Sequence, residues 1–178
     1  MLCPCSPRPP IWRMDVPTEP GTSTDSVQVL HLVGFTVGDE EFGVPILCVK
    51  EIIRLQELTR VPRSPAFVEG VMNLRGQVIP IISLRKRMGF ADRDHAEQTR
   101  IVVIESETIL AGFIVDFVSE VLRVPVTAVS PPPRLGNIAR EFISGICKIE
   151  DRLLILLNVG PVVLEANFEA AVTAETRN

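Results

Sequence analysis

Two histidines, four cysteines and a scatter of carboxylates are the residues of this 178-residue chain whose types suit chemistry. None stands in a spacing that performs it. His31 lies in an apolar stretch and His95 in a polar one, and neither belongs to a His-x-x-x-His pattern that would hold a metal. His31 is expected to be a core or groove residue. Cys3 and Cys5 lie in a Pro-rich stretch, and Cys48 and Cys147 lie within apolar segments. No Cys-x-x-Cys pair occurs, so free thiols in a reducing compartment are expected. Ser144-Gly145 lacks the preceding glycine of a nucleophile elbow, and no Gly-rich loop is present to cradle a phosphate. Asp39, Glu40, Glu105, Glu107, Glu150 and Asp151 all fall at predicted turns. Solvent there denies a carboxyl the burial that would make it a general acid at neutral pH. The residues thus ask for no catalytic group, metal or cofactor.

A binding residue is a better candidate. Arg75 precedes Gly76 between two apolar runs, and Gly76 supplies the positive φ that a tight hairpin needs. Gly70 allows a sharp turn into the first of those runs. An arginine held at the end of a stiff hairpin loses less entropy on binding than one on a loop. The competing reading is a turn arginine whose stem lies over its own barrel.

The elements that would position Arg75 are mostly strands. Val29, His31, Val33, Phe35 and Val37 alternate along one strand, and Glu41 to Val44 returns across Gly38-Asp39-Glu40. Pro45 is expected to open a short helix with Ile46, Val49 and Ile53 on one face. Ala66 to Gly70 reads as one helical turn. Val71 to Leu74 and Gln77 to Ile82 read as a hairpin across Arg75-Gly76. Val78 to Ile82 is apolar on both faces, which implies a packed interior, and Pro80 within it implies an edge or a bulge. Ser83 is expected to cap a basic helix over Leu84 to Met88, ended by Gly89. After a polar loop to Gln98, further strands are expected at Arg100 to Ile104, Thr108 to Val115, Val118 to Val124, Phe142 to Ile149 and Leu153 to Asn158. A closing helix is expected over Pro161 to Phe168. Short strands with turns about every 8–12 residues point to an all-β barrel or sandwich, and the two clusters of strands that flank the polar Ala91 to Gln98 loop would fit two small barrels packed side by side.

Composition agrees. Hydrophobic residues form 46% of the chain and aromatics only 5%, so a core of Val, Ile and Leu is expected. Residues 1–26, rich in Pro, Ser, Thr and Gly, read as a disordered tail before a domain over 27–168, and 169–178 as a frayed end. The net charge of -4 argues against general nucleic-acid binding. No apolar run is long enough to span a bilayer, and Met1 to Pro20 lacks the apolar middle of a secretory signal, so a cytoplasmic protein is expected.

Pro65 to Ile81 is similar to a hallmark of the CheW family, Pro-x-Phe-x-x-Gly-Val-x-Asn-Leu-Arg-Gly-x-Val-x-Pro-Ile. Phe35 to Ile52, Ile114 to Leu122 and Asp151 to Leu156 resemble the family at consistent spacing. The resemblance spans residues 29 to 168. It implies a fold of two intertwined five-stranded SH3-like β-barrels. It also implies an adaptor without catalytic residues or cofactor, which couples the hairpin tips of chemoreceptors to the regulatory domain of a CheA-type histidine kinase.

Carried over by position, Asn73, Leu74, Arg75 and Gly76 form the signature turn. Val49, Glu51 and Ile52 would line the receptor side of the first barrel, and Val118 and Val121 the second wall of the same groove. No short motif marks the kinase-facing surface. The resemblance also implies a short helix from Asn137 to Phe142. The chain departs from the family at Phe117 (often Gly), at Ser83 (often Asp), in the Pro131 to Pro133 run and in the tail. Other readings are an adaptor of a parallel chemosensory system controlling surface motility or another output, a stand-alone kinase regulatory domain, and a small-molecule-binding barrel or hydrolase.

Overall fold

The computed structural model describes residues 28–106, 109–132 and 141–164. The tail 1–26, most of the Asn137 to Phe142 segment and the frayed end 169–178 lie outside them. Eleven strands are described: β1 (Val29–Val37), β2 (Glu40–Pro45), β3 (Val49–Arg54), β4 (Val68–Leu74), β5 (Gln77–Ser83), β6 (Arg100–Glu105), β7 (Leu110–Val115), β8 (Phe117–Pro125), β9 (Val129–Ser130), β10 (Ile143–Ile149) and β11 (Arg152–Leu157). Two short helices accompany them, α1 (Leu84–Arg87) and α2 (Val159–Leu164).

The strands form two sheets, ordered β8-β1-β2-β11-β10-β9 and β3-β6-β7-β5-β4. The sheets do not divide the chain at the polar loop. The hairpin β1–β2 precedes that loop but pairs with β8 and β11. The hairpin β6–β7 follows it but pairs with β3 and β5. The all-β, intertwined architecture agrees with the expectation from the family resemblance. A simple division into one barrel before the loop and one after does not hold.

Three apolar cores result. Met72, Ile79, Ile81, Ile101, Val103 and Ile114 fill the first barrel, and Leu32, Val124, Cys147, Leu154 and Leu156 the second. The largest core lies between the sheets and includes Val33, Phe35, Val37, Phe42, Val102, Ile104, Phe113 and Val115. Strand β1 therefore buries both faces, with Leu32 turned into its barrel and Val33 and Phe35 toward the other sheet.

Several local expectations need correction. Residues 46–53 are not a helix: a three-residue 3-10 turn over Ile46–Cys48 leads straight into β3. The turn expected over Ala66 to Gly70 is confined to its start, where Val68 N–H donates to the Pro65 carbonyl at 2.9 Å, and β4 already begins at Val68. His31 is exposed, because its face of β1 is uncovered at that end of the strand. Val78 is also exposed, so β5 enters the interior only from Ile79 onward.

Pro80 is not on an edge strand, yet it breaks no ladder. Its partner Val71 exchanges backbone hydrogen bonds with Thr59 on the far side, so Pro80 and Val71 form a non-hydrogen-bonded pair. The ring nitrogen points toward β7, whose pairing with β5 starts at Ile81. Ser83 caps α1 as expected, its Oγ accepting from Lys86 N–H at 3.4 Å, and Gly89 (φ 77°) follows the helix.

Candidate functional site

Leu74 and Gln77 pair across a two-residue turn in which Arg75 (φ 51°) and Gly76 (φ 88°) both adopt positive φ. That is the turn geometry whose twist suits a tight hairpin. Asn73 closes it, its Oδ1 accepting from Gly76 N–H at 2.8 Å. Leu74 packs into the first barrel's core and anchors the turn from beneath. Arg75 thus stands at a fixed tip, with its side chain 78% exposed, and its guanidinium donates to Glu51 Oε2 at 3.2 Å. The self-contact expected of a turn arginine is therefore made to one carboxylate, and most of the side chain stays open to solvent.

Glu51 lies on β3, where the register skips a residue: Val49 faces Ile104, Glu51 faces Val103 and Ile52 faces Val102. Lys50 is the bulged residue, and it pairs with Glu105 at 2.8 Å. The bulge puts Val49 and Ile52 on the same face as Ile104 and Val102, the face turned to the inter-sheet core. Val49 is half-buried there and Ile52 is 42% exposed. Strand β8 repeats the arrangement. Val118 and Val121 pair with Phe35 and Val33 across a bulge, so they too lie on the face turned to the inter-sheet core. Val118 packs against that core and Val121 is 51% exposed. β3 and β8 are each an edge of their sheet. The structure therefore sets Val49, Ile52, Val118 and Val121 along the margins of the inter-sheet core, with the Glu51–Arg75 pair beside them.

A second polar node was not singled out from sequence. Asp116, between β7 and β8, accepts from Arg85 Nε and Nη2 of α1, the shortest contact being 2.7 Å, and from Gly38 N–H at 2.8 Å. It joins α1, the β1–β2 turn and the β7–β8 junction. Burial alone would raise the Asp116 carboxyl, but the Arg85 hydrogen bonds, the Gly38 N–H and the guanidinium charge outweigh it and hold the group below its ordinary value. The bond to Asp116 correspondingly raises Arg85. The Gly-Asp turn and the basic helix were visible in the sequence, but nothing local paired them. Among the described residues no group of three or more His, Cys, Asp or Glu is arranged to hold a metal. Burial pushes the Cys48 and Cys147 thiols up, away from the reactive thiolate.

Fold and site together define a twin-barrel β protein whose candidate site is a surface built on strand edges and a rigid hairpin tip. A model of the CheW-like domain matches residues 31–166. The chemotaxis protein CheW of Helicobacter pylori is 38% identical over 139 residues, covering 78% of this chain and 84% of that protein. Protein FrzA of Myxococcus xanthus is 36% identical over 112 residues, covering 63% of this chain and 70% of that one. The crystal structure of the scaffolding protein TtCheW from Thermoanaerobacter tengcongensis matches with a TM-score of 0.74 at 34% identity, covering 79% of this chain and 95% of that one. The chain belongs to the CheW-like domain family.

Proposed function

We propose that this chain is a chemotaxis adaptor that couples chemoreceptors to a CheA-type histidine kinase in signal transduction, by surface contact and without chemistry of its own. The observation that carries this reading is the fixed Arg75 tip, tied to Glu51 beside the apolar margins formed by Val49, Ile52, Val118 and Val121. An apolar receptor hairpin tip would bind along those margins, with burial supplying affinity and the charged pair supplying register. Kinship with proteins described as chemotaxis and scaffolding proteins supports it.

The kinase would bind a separate surface, so that receptor state passes through the adaptor as a change in packing among three partners. The coupling belongs to the domain over 27–168 rather than to the Pro-rich tail. The protein would act in the cytoplasm, recruited to membrane-associated receptor arrays. Among the described residues no helix is long and apolar enough to cross a membrane.

Co-sedimentation with a CheA-type kinase and a receptor cytoplasmic fragment, separately and together, tests the proposal. Binding to each alone, and a three-part complex when both are present, is the expected result. Binding to neither sinks it, and binding to the kinase alone reassigns the chain as a stand-alone regulatory domain.

A further inference from the structure

The two apolar margins of the candidate site do not end in apolar residues. Beyond Ile52 on β3, the next residue on the same face is Arg54, and its cross-strand partner on β6 is Arg100. Beyond Val121 on β8, the next residue on the same face is Arg123, and its cross-strand partner on β1 is His31. Strand alternation fixes these positions, since every other residue shares a face. Arg54, Arg123 and His31 are exposed, and Arg100 is half-buried.

The margins run in opposite directions. Pro45 pairs with Leu32, beside His31, and the Ile46–Cys48 turn carries the chain from there to Val49. The β3 margin therefore begins near the end of the β8 margin at Arg123. Val115 pairs with Arg100, and the chain passes through Asp116 and Phe117 to Val118. The β8 margin likewise begins near the end of the β3 margin at Arg54. An arginine thus stands at each end of the apolar strip.

These charges are not neutralised within the protein. The carboxylates beside the margins have cations of their own: Glu51 meets Arg75 at 3.2 Å, Glu105 meets Lys50 at 2.8 Å, Asp116 meets Arg85 at 2.7 Å and Glu120 meets Arg152 at 4.0 Å. Among the described residues neither Arg54 nor Arg123 forms an ion pair. Arg100 donates to the carbonyls of Glu97 at 2.7 Å and Thr99 at 2.9 Å, which fixes its guanidinium without cancelling the charge. Folding gains nothing from setting Arg54 opposite Arg100, because like charges across a strand pair are destabilising. The net charge of -4 does not attract an acidic partner either, so any preference for one comes from these local groups.

We infer that the groove selects a partner segment whose apolar stripe is flanked at both ends by carboxylates, received by Arg54 with Arg100 at one end and by Arg123 with His31 at the other. The inference rests on the adaptor reading, in which that segment is the receptor hairpin tip. Burial against the valines and Ile52 supplies affinity for any apolar tip. The end groups set the tip's position along the strip and reject tips that carry Lys or Arg there.

The test uses one chemoreceptor cytoplasmic fragment in two forms, with carboxylates flanking its apolar tip and with those Glu and Asp residues changed to Gln and Asn. Each form is titrated against the full chain and against its Arg54→Gln/Arg123→Gln double variant. Both arginines are exposed, so the variant should melt with the wild type. The wild type should bind the acidic form about tenfold more tightly than the amide form. That preference should collapse in the double variant, and also at about 1 M salt, where the Debye length is about 3 Å. Arg63→Gln, which removes an exposed charge from the turn between β3 and β4, should keep it. Equal binding of the two forms by the wild type overturns the inference and leaves the adaptor reading standing, and it needs no variant. A preference that survives in the double variant, or that Arg63→Gln abolishes equally, also overturns the inference. Binding of neither form defeats the adaptor reading and the inference together.

Discussion

Glu51 and Arg75 belong to β3 and to the turn that follows β4, the two strands furthest apart in their sheet's hydrogen-bond order, and they still form an ion pair at 3.2 Å. The sheet is curled until its edges approach. The backbone exchange between Thr59 and Val71 closes it further along, since Thr59 follows β3 and Val71 lies in β4. The tip on which Arg75 stands is therefore braced from both edges of a barrel.

Arg75→Ala should separate binding from stability. An exposed pair of this kind contributes about 0–1 kcal/mol to folding, whereas a rigid interfacial arginine acting as a hot spot is worth about 2 kcal/mol or more in binding. Thermal melting should hardly move while receptor co-sedimentation weakens at least tenfold. Unchanged receptor affinity would remove Arg75 from the site.

Val118 and Val121 should behave differently although they share a face. Val118 packs on the inter-sheet core, so Val118→Ala should cost about 1 kcal/mol or more. Val121 is half exposed, so Val121→Ala should change stability by less than about 0.5 kcal/mol and still lower receptor binding. Equal melting temperatures for the two variants would contradict the burial difference.

Asp116→Asn should destabilise the protein at neutral pH by about 1–3 kcal/mol, the cost of disrupting charged, partly buried hydrogen bonds. The native Asp116 carboxyl holds its proton more weakly than the unfolded chain does. Its stabilising contribution is full above the unfolded value of about 4 and is lost as pH falls through the lower native value. The gap in denaturant midpoint between wild type and Asp116→Asn should therefore narrow toward pH 3. A gap that stays constant with pH would show that the charge is not what matters.

Two glycines of the signature segment should respond in different ways. A Cβ on Gly70 would press into the Thr59 carbonyl oxygen, at the closure of the barrel. Gly70→Ala should cost about 1–3 kcal/mol through that overpacking. Gly76 has open space around it and a φ of 88°, so Gly76→Ala should cost about 1 kcal/mol from backbone conformation alone. Chemical denaturation of both variants checks the order, and a larger loss at Gly76 would reverse the assignment.

Local physics made much of this legible. Alternation located β1, apolar runs beside polar turns located β6 and β11, and the Arg75-Gly76 dipeptide located the turn that both residues now occupy at positive φ. The helix expected after Pro45 failed for a definable reason. Ile46, Val49 and Ile53 stand at spacings that a helix would gather on one face, but in β3 Val49 packs against the inter-sheet core and Ile53 against the first barrel's core, because the bulge at Lys50 shifts the alternation between them. The exchange of hairpins was invisible, because alternation gives a strand its faces without choosing its neighbour. Arg85 and Asp116, 31 residues apart, are joined only by that exchange-dependent packing. The groove residues came from the family resemblance, and their division into half-buried Val118 and open Val121 required the structure.

The apolar layer between the sheets has a thermodynamic consequence. β1 and β7 each serve a barrel interior on one side and this shared layer on the other, so neither barrel can melt while leaving its neighbour's surface intact. The protein should absorb heat in a single peak, with calorimetric and van't Hoff enthalpies equal, as one cooperative unit despite its two-lobed plan.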